Sequence, residues 1–429
     1  NKFSIYRLIP QLKTPASKEM FCVKISRALW VFIILFAPSV IDANASLKAS
    51  HLLSPAAKLR PGIASNKYYP VRFPKGHVGV KNVFAEIVDE SGQSVPLTEA
   101  YLHHWTLQRY YQRRGSYISF RNVSSLFLAM EKGDFLYSSM NGTCEGDVVG
   151  YGSGSETRGT DYSLPDPYAV EVGNPNNVPR GYDEKWMLNV HVIDTRGVID
   201  SIGCLECRCN LFNVTTGFNG KPLPFGYKGG LQCCPDQKQC KLREGFDDVS
   251  RTLYLKYVLH WFKWKESVLP AKLFIFDVTV PSSNTMDPHR SCQGNVEYQV
   301  DPCRDKDKPE NCVDYDRKKV KVVMPGGGNV IMVYAHQHIG GLGANIYGQD
   351  KRLICLSKPV YGEGNKAGDE KGYVVGMTTC RPKPGTMNVR KNEIIQLESI
   401  YNSSKLHTGV MGFIGLFIAD ELPNANRYG

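Results

Sequence analysis

Apolar residues along this chain occur in short runs bounded by turn residues, and most runs are rich in β-branched and aromatic side chains. Such runs are typical of β-strands. No long segment repeats with the 3.6-residue period of an amphipathic helix. The pattern therefore predicts an all-β protein with strands at 83–88, 125–130, 185–194, 253–259, 273–280, 320–324, 329–339, 373–378, 394–401 and 410–419.

The length of 429 residues exceeds that of one ordinary domain, and 40 glycines with 25 prolines indicate many turns. Long loops are expected at 151–177 and 204–243. Because the second loop is a natural junction, we predict an N-terminal domain over 60–240 and a C-terminal domain over 245–420. Both are expected to be antiparallel β-sandwiches of the jelly-roll type.

The N-terminal residues have the features of a secretory signal peptide. A basic start, an apolar run at 28–37 and an Ala-Asn-Ala sequence ending at Ala45 are typical of such a segment. We predict a signal peptide at 20–45, preceded at 1–19 by an upstream or non-native segment. The apolar run is too short for a convincing transmembrane span, although a retained signal anchor is the alternative. The mature chain is therefore expected to be secreted and to lack a transmembrane span.

Twelve of the 13 cysteines lie outside the predicted signal peptide. An even number in a secreted chain indicates disulfides, and half of them fall in the 204–243 loop, which they could hold in place where a hydrophobic core cannot. A zinc ribbon is the alternative for Cys204 and Cys207, but the second pair, Cys233-Cys234, is adjacent rather than spaced by two. Four glycosylation sequons fit the same extracellular interpretation, namely Asn122, Asn141, Asn213 and Asn402.

Four of the ten histidines occur in two close groups, His103-His104 and His336-Gln337-His338. In a strand, residues two apart share a face, so the latter two imidazoles point to the same side with Cα atoms about 6–7 Å apart. Two imidazoles in this arrangement can chelate one metal ion. His103 and His104 are adjacent and would point apart in a regular strand. They converge only at a β-bulge or at a strand end.

His191 and Met411 complete the set of candidate metal ligands. His191 shares a face of the predicted strand 185–194 with Asn189. A lone strand histidine is more often structural, and a methionine in an apolar strand more often belongs to the core. The six residues together nevertheless indicate a three-histidine site in the first domain and a two-histidine, one-methionine site in the second. Zinc at a three-histidine site would indicate hydrolysis, whereas the soft thioether of Met411 favours copper.

Three further residues are candidates for supporting roles around these ligands. Asn189 and Gln337 could orient the imidazoles through hydrogen bonds. His407 lies four residues before Met411 and could be a polar group near that metal, although we expect it at the surface.

Taken in order, the six candidate ligands resemble those of the type II copper, ascorbate-dependent monooxygenases, which include peptidylglycine hydroxylating monooxygenase and dopamine β-monooxygenase. The closest local match is AHQHIGGLGANIYG, with looser matches in NVHVID and VMGFIGLFI. Overall, the chain resembles the plant stress-up-regulated nodulin family of secreted proteins over roughly 70–420. Its most distinctive stretch is GSGSETRGTDYSLPDPYAVEVGNP.

The monooxygenase resemblance implies two copper ions, with dioxygen as co-substrate and ascorbate as the source of two electrons for hydroxylating a C–H bond. The implied ligands are His103, His104 and His191 for an electron-transfer copper, and His336, His338 and Met411 for the catalytic copper that binds dioxygen. An arginine and a tyrosine of the peptide-amidating members are replaced here by Tyr334 and Gly415. A peptide C-terminal glycine is therefore a poor candidate substrate.

The nodulin resemblance implies a protein of the apoplast or cell wall, whose partner would be an unidentified small molecule or wall component. The formal net charge is +11, but no Lys/Arg cluster suited to nucleic acid occurs. A GxSxG motif, which would indicate a serine hydrolase, is also missing. Two alternatives to a monooxygenase or oxidase stay open: a non-catalytic copper-binding stress protein, and a β-sandwich interaction module with relic ligands.

Overall fold

The computed structural model describes residues 47–137, 142–146, 150–217, 220–233, 240–247, 249–303 and 316–420. Strands account for 47% and helices for 6%, which confirms the prediction of an all-β protein. The predicted upstream segment (1–19), the predicted signal peptide (20–45) and the sequon Asn141 lie outside the described residues.

The strands are numbered here in chain order. The first nine are β1 (Lys48–Leu53), β2 (Ala57–Leu59), β3 (Ala64–Val71), β4 (Val78–Val88), β5 (Ala100–Arg113), β6 (Phe135–Leu136), β7 (Gly150–Ser153), β8 (Tyr168–Val172) and β9 (Tyr182–Asp194). The others are β10 (Arg251–Lys263), β11 (Leu269–Pro270), β12 (Lys272–Asp277), β13 (Tyr298–Val300), β14 (Asp316–Val323), β15 (Gly328–Gln337), β16 (Gly341–Tyr347), β17 (Leu353–Ser357), β18 (Pro359–Tyr361), β19 (Val374–Met377), β20 (Asn388–Val389), β21 (Ile394–Tyr401), β22 (His407–Val410) and β23 (Gly412–Ala419).

Helical structure in the described residues is short. It comprises the helices α1 (Val123–Glu131) and α2 (Ser201–Leu205) and the 3₁₀ turns Ser155–Arg158 and Pro175–Asn177. Neither of the two α-helices has the length and hydrophobicity needed to cross a membrane.

Four larger sheets carry the fold. Two are built mainly from N-terminal strands, in the orders β1-β10-β4-β8-β11, with β2 also on β10, and β3-β9-β5-β6, with β7 also on β5. Two are built from C-terminal strands, in the orders β12-β23-β15-β20 and β14-β21-β16-β17. The smaller pairs β13-β22 and β18-β19 complete the set. Among the described residues, the pairings between strands are antiparallel except the short contact of β11 with β8.

Strand β15 is buried on both faces, and this positions the C-terminal histidines. Val333 and Ala335 pack into the core between the two C-terminal sheets, while Met332 and Tyr334 pack into the core formed mainly by N-terminal strands. Because side chains alternate along a strand, His336 follows Tyr334 onto the N-terminal side. The C-terminal histidines therefore face the sheets that carry the N-terminal ones.

The described residues from Leu47 onward belong to one compact unit. Strand β10, which lies inside the predicted C-terminal range, pairs along its length with β1 and β4. The division into domains over 60–240 and 245–420 stays a prediction, as does the jelly-roll connectivity of each sandwich.

The segment 125–130, predicted as a strand, belongs to helix α1, so that prediction was wrong. The Asn122 side chain accepts a hydrogen bond from the backbone N–H of Ser125 and caps the helix. Leu126 and Ala129, three residues apart, are buried, while Phe127 is exposed. This is the spacing of one helical face, which a short apolar run cannot distinguish from a strand.

Disulfides occur as the cysteine count predicts, and the described bonds are Cys204–Cys240, Cys209–Cys233 and Cys355–Cys380. Cys207 and Cys303 are also disulfide-bonded. Two of these bonds close the loop that follows α2, and the zinc-ribbon alternative is wrong because Cys204, Cys207 and Cys233 are disulfide-bonded. Cys144 and Cys292 are unbonded and buried, and the Cys144 sulfur accepts a hydrogen bond from the Cys292 N–H at 2.7 Å.

Candidate metal centre

Three histidines, His103, His104 and His191, form a cluster that we call the histidine triad. His104 on β5 is the register partner of His191 on the neighbouring strand β9. The register shifts between Leu102 and His104, so His103 is an extra residue in β5. A β-bulge is one of the two irregularities, with a strand end, that were predicted to let adjacent histidines converge, and the structure has the bulge.

The geometry of the histidine triad suits one metal ion. One candidate ligand nitrogen from each residue can be chosen so that all three lie within 4.8 Å of one another. The ring centroids of His103 and His191 are 4.6 Å apart, and those of His104 and His191 are 5.1 Å apart. Three imidazoles at this spacing can serve as the three protein ligands of a metal that keeps a further coordination position open.

Asn189 fixes the tautomer of His104. The Asn189 side-chain N–H groups donate to the Asn66 side-chain oxygen and the Lys67 carbonyl, so its own oxygen is an acceptor. That oxygen lies 2.8 Å from His104 Nε2, which must therefore carry the proton. His104 Nδ1 is left with its lone pair available, as expected of a residue that orients a metal ligand.

The histidine pair, His336 and His338, lies at the end of β15, with ring centroids 5.0 Å apart. His336 Nδ1 is 2.7 Å from an oxygen of Glu156, a fully buried carboxylate. The same oxygen accepts hydrogen bonds from the Ser153 hydroxyl and the Gly154 N–H. Burial raises the pKa of Glu156, but the charge and hydrogen bond of His336 hold it below the ordinary value. The carboxylate thus accepts a hydrogen bond from the Nδ1–H of His336 and leaves Nε2 for a metal.

Sequence reasoning missed Glu156. It lies 180 positions before His336, and no local pattern links the two residues. The available signal was the distinctive GSGSETRGT segment, in which an acidic residue stands among small residues without an assigned role.

His338 and Met411 lie side by side in the backbone. The His338 N–H donates to the Tyr401 hydroxyl at 2.7 Å, and that hydroxyl donates to the Met411 carbonyl at 2.7 Å. The register of β15 with β23 ends with Gln337 opposite Gly412, and His338 and Met411 are the next residues of the two segments. Met411 is 4% exposed.

The two groups of histidines also meet each other. The ring centroids of His103 and His338 are 4.8 Å apart, so the triad and the pair are in direct contact. All five imidazoles therefore border one buried region, although His103 and His338 are separated by more than half the chain.

The environment of His103, His104, His191 and His338 favours their neutral form. Burial, reinforced by the charges of neighbouring histidines, lowers the pKa of His103, His191 and His338 well below the ordinary value. Burial also lowers the pKa of His104 to about 4, although the hydrogen bond to Asn189 opposes the shift. Neutral imidazole is the form that binds a metal.

The ring nitrogens His103 Nδ1 and His338 Nε2 of the cluster are buried and have no hydrogen-bond partner among the described residues. The His338 ring donates to the Gly409 carbonyl, which leaves Nε2 as its acceptor nitrogen. Buried polar atoms almost always have a partner, so two such atoms in one histidine cluster are what a site for a metal ion should contain.

Two of the predicted supporting residues lie elsewhere. The Gln337 side chain points away from the histidine pair and donates to Gly343, Ser399 and Ile400, because it occupies the opposite face of β15. His407 is 1% exposed and bonded to Glu206, so the expectation of a surface histidine was wrong.

Tyr334 and Gly415, the two departures from the peptide-amidating enzymes, are cross-strand partners. A side chain at position 415 would overlap the Tyr334 ring, so the two substitutions fit each other. The ring lies edge-on to Tyr162 at 5.2 Å, and both line a largely apolar pocket with Trp105 and Phe417. Among the described residues no histidine lines the pocket, but Tyr162 is linked to the histidine pair through the hydrogen bonds that join Tyr162 to Ser153, Ser153 to Glu156 and Glu156 to His336.

The sequons differ in their surroundings. Asn122 and Asn213 are exposed, whereas Asn402 is half-buried and accepts a hydrogen bond from the Ser404 N–H. Exposure makes the first two the better acceptors for a glycan.

The fold and the site together define an all-β, disulfide-bonded protein with a buried histidine cluster that could hold a metal ion. Residues 45–421 match the family described as stress up-regulated Nod 19, and the chain belongs to this family. The predicted resemblance to the stress-up-regulated nodulins is thereby confirmed. No curated protein matches the sequence significantly.

Similarity to solved structures is weak. Latent PorU from Porphyromonas gingivalis aligns at 10% identity and a TM-score of 0.22, over 85% of this chain and 25% of that protein. An archaeal virus protein with a triple jelly roll aligns at 10% identity and a TM-score of 0.16, over 86% of this chain and 61% of that one. The infectious bursal disease virus VP2 particle protein gives 10% identity and a TM-score of 0.18, over 88% and 73%. Scores at this level do not indicate a shared fold.

Proposed function

We propose that this protein is a secreted, copper-dependent and ascorbate-driven monooxygenase or oxidase that hydroxylates a C–H bond of a small molecule or wall component. The observation that carries the proposal is the gathering of five histidines around one region, four of them buried and His104 half-buried. His103 and His338 contribute ring nitrogens that lack a partner among the described residues. Metal coordination accounts for an arrangement that would otherwise be costly.

The choice of copper rests on the donor set. Imidazole suits copper, zinc and iron, but a thioether is a soft donor that favours Cu(I). The Met411 carbonyl accepts a hydrogen bond from the Tyr401 hydroxyl, which also accepts one from the His338 N–H, so the two residues are close in the backbone. In this proposal the triad His103, His104 and His191 holds one copper, and His336, His338 and Met411 hold the other.

Bound copper would supply one-electron redox chemistry and the activation of dioxygen. For each C–H bond hydroxylated, one oxygen atom enters the substrate and the other leaves as water, with two electrons and two protons supplied from ascorbate. The residues of the chain orient the ligands and exclude water from the site. Glu156 and Asn189 fix the imidazole tautomers, and burial of the cluster keeps bulk water away from the ligands.

The pocket that Tyr162 links to the histidine pair indicates the kind of substrate. Tyr334 and Tyr162 line it as neutral phenols, because burial raises the pKa of both groups. The charge of Lys81, which also lines the pocket, is engaged by Asp166 and the Tyr168 carbonyl. Without an available cation, the pocket favours an apolar, uncharged group over a carboxylate.

The proposed compartment is extracellular. The disulfides are compatible with an oxidising environment, and exposed sequons such as Asn122 fit passage through the secretory pathway. We propose the apoplast or cell wall as the destination, following the predicted signal peptide at 20–45.

The test measures bound copper per chain on protein from a secretory host. The wild type is expected to hold two copper ions, and Met411→Ala and His336→Ala are each expected to lose one. His51→Ala is the matched control because His51 is exposed on β1 and distant in sequence from the cluster. Ascorbate-dependent oxygen uptake by the wild type would support catalysis, whereas copper binding without uptake would support the non-catalytic alternative. A protein with no copper above background, or with zinc that is unaffected by both substitutions, would contradict the proposal.

A further inference from the structure

We infer that the two metal positions share one cavity, with no side chain between them other than those of the ligands themselves, so that two bound Cu(II) ions would interact magnetically. This inference rests on the proposed binding of copper. The contact that carries it is the one between the triad and the pair, since the ring centroids of His103 and His338 are 4.8 Å apart. Within the triad, the rings of His103 and His104 are farther apart, at 5.6 Å.

The local backbone explains why these two rings meet. His103 is the extra residue of a β-bulge, so its ring leaves the regular alternation of β5. His338 follows the last residue of β15, where the chain begins to turn. In each group, the histidine at an irregular backbone position, His103 in the triad and His338 in the pair, is therefore the one that contacts the other group.

His103 also links the two groups by its distances to both. Its ring centroid is 4.6 Å from that of His191 and 4.8 Å from that of His338, in perpendicular contact with the latter. No third side chain fits between imidazoles at this distance.

The available nitrogens point to separate ions within this shared space. Hydrogen bonds occupy one nitrogen each of His104, His336 and His338 and leave the other nitrogen as a donor to metal. With His103 and His191 added, the cluster has more imidazole donors than one tetrahedral ion needs. Two ions would account for all the donors, with the three rings of the triad binding one ion and the two rings of the pair plus Met411 binding the other.

Two cations in one cavity repel each other, and Glu156 provides a compensating charge. One of its oxygens contacts His336, and the other is buried without a hydrogen-bond partner in the described part of the chain. A buried carboxylate beside paired cations lowers the electrostatic cost of bringing them together. The structure thus contains both the donors and the counter-charge for a dinuclear centre.

The experiment combines copper analysis with electron paramagnetic resonance of the oxidised protein. Wild type, His191→Gln and His338→Gln are loaded with Cu(II), and His51→Ala serves as the control. Glutamine keeps a polar side chain of moderate size, and secretion yield with thermal melting verifies folding. The expected result is two copper ions in the wild type and one in each glutamine variant. The wild-type spectrum should have lost intensity or gained a half-field transition relative to the sum of the two variant spectra.

The possible failures are distinguishable. Absence of copper from the wild type would overturn the proposed function itself. Two copper ions whose spectrum equals the sum of the variant spectra would leave copper binding intact and overturn the shared cavity. A single copper ion lost in both variants would also overturn the two-ion centre. X-ray absorption of the loaded wild type gives a second measurement that needs no variant, because ions in one cavity should produce a copper–copper scattering path.

Discussion

The histidine triad and the histidine pair are built in different ways. Two neighbouring strands supply the triad, and the backbone register of β5 with β9 determines its geometry. The pair stands at the end of one strand, where Glu156, Tyr401 and the Met411 segment hold it from three other parts of the chain. The geometry of the triad depends on the backbone hydrogen bonds between two neighbouring strands. The geometry of the pair depends on several distant segments, so single substitutions should disrupt the pair more easily than the triad.

The segment Ser155–Arg158 is the main support of the pair. Thr157 accepts a hydrogen bond from the Trp105 indole and donates to the Ala85 carbonyl, which ties it to N-terminal strands. Gly159 donates to the Val375 carbonyl, and Thr160 accepts from the Met377 N–H, which ties the same segment to β19. Glu156 is therefore held rigidly between N-terminal and C-terminal strands.

The largest expected effect is on stability, from Arg158→Met. Arg158 is 10% exposed and pairs with Glu86 and the fully buried Glu370, while its guanidinium also donates to the Ile87 and Val95 carbonyls. Removing one partner of a buried ion pair leaves uncompensated charge and typically costs about 3–5 kcal/mol. The free energy of unfolding in denaturant should fall by this amount.

A matched control shows whether the loss of stability comes from the burial of the ion pair or from the loss of any ion pair. Lys272 forms an exposed pair with Asp420, and exposed pairs contribute roughly 0–1 kcal/mol. Lys272→Met should therefore leave the unfolding free energy nearly unchanged. Equal effects of the two substitutions would contradict the supporting role given to Arg158.

The next effect is on metal affinity, from Glu156→Gln. Loss of the carboxylate that orients a ligating histidine typically weakens metal binding roughly 10–100-fold. We expect this loss at the histidine pair alone, because Glu156 contacts His336, and the triad should retain its ion. Competition with a chromophoric copper chelator would measure both affinities.

Asn189→Leu is the corresponding substitution at the triad. It removes the acceptor for His104 and should weaken the triad site while sparing the pair. If either substitution weakened both sites equally, the two groups would not have independent supports and the comparison between them would fail.

The sequence predicted the features that follow from strand geometry. A two-residue period places His336 and His338 on one face, and adjacency of His103 and His104 requires a bulge or a strand end, of which β5 contains the bulge. Contacts between distant residues were beyond this reasoning. Glu156 is 180 positions from His336, and Glu206 is 201 positions from His407, which is why His407 was expected at the surface. Helix α1 was missed because its apolar run is too short to show a period.

A smaller effect on stability is expected from Gly415→Ala in β23. The new methyl group would overlap the Tyr334 ring across the strand pair, and overpacking of this kind typically costs about 1–3 kcal/mol. Tyr334→Val should relieve the overlap, so the double variant should be less destabilised than the sum of the single variants. Additive losses in a thermal or denaturant double-mutant cycle would show that the two positions do not compensate each other.

The smallest expected effect is at α1, remote from both groups of histidines. The Asn122 side chain caps this helix through the Ser125 N–H, and loss of such a cap typically costs about 1 kcal/mol. Asn122→Ala should lower the unfolding free energy by that amount without changing copper content.

Asn122 is also an exposed sequon, so the alanine variant removes a glycan acceptor together with the cap. Asn122→Ser resolves the two effects, because serine caps a helix as well as asparagine does but cannot carry an N-linked glycan. A serine variant as unstable as the alanine variant would assign the stability to glycosylation, whereas recovery in serine would assign it to the cap.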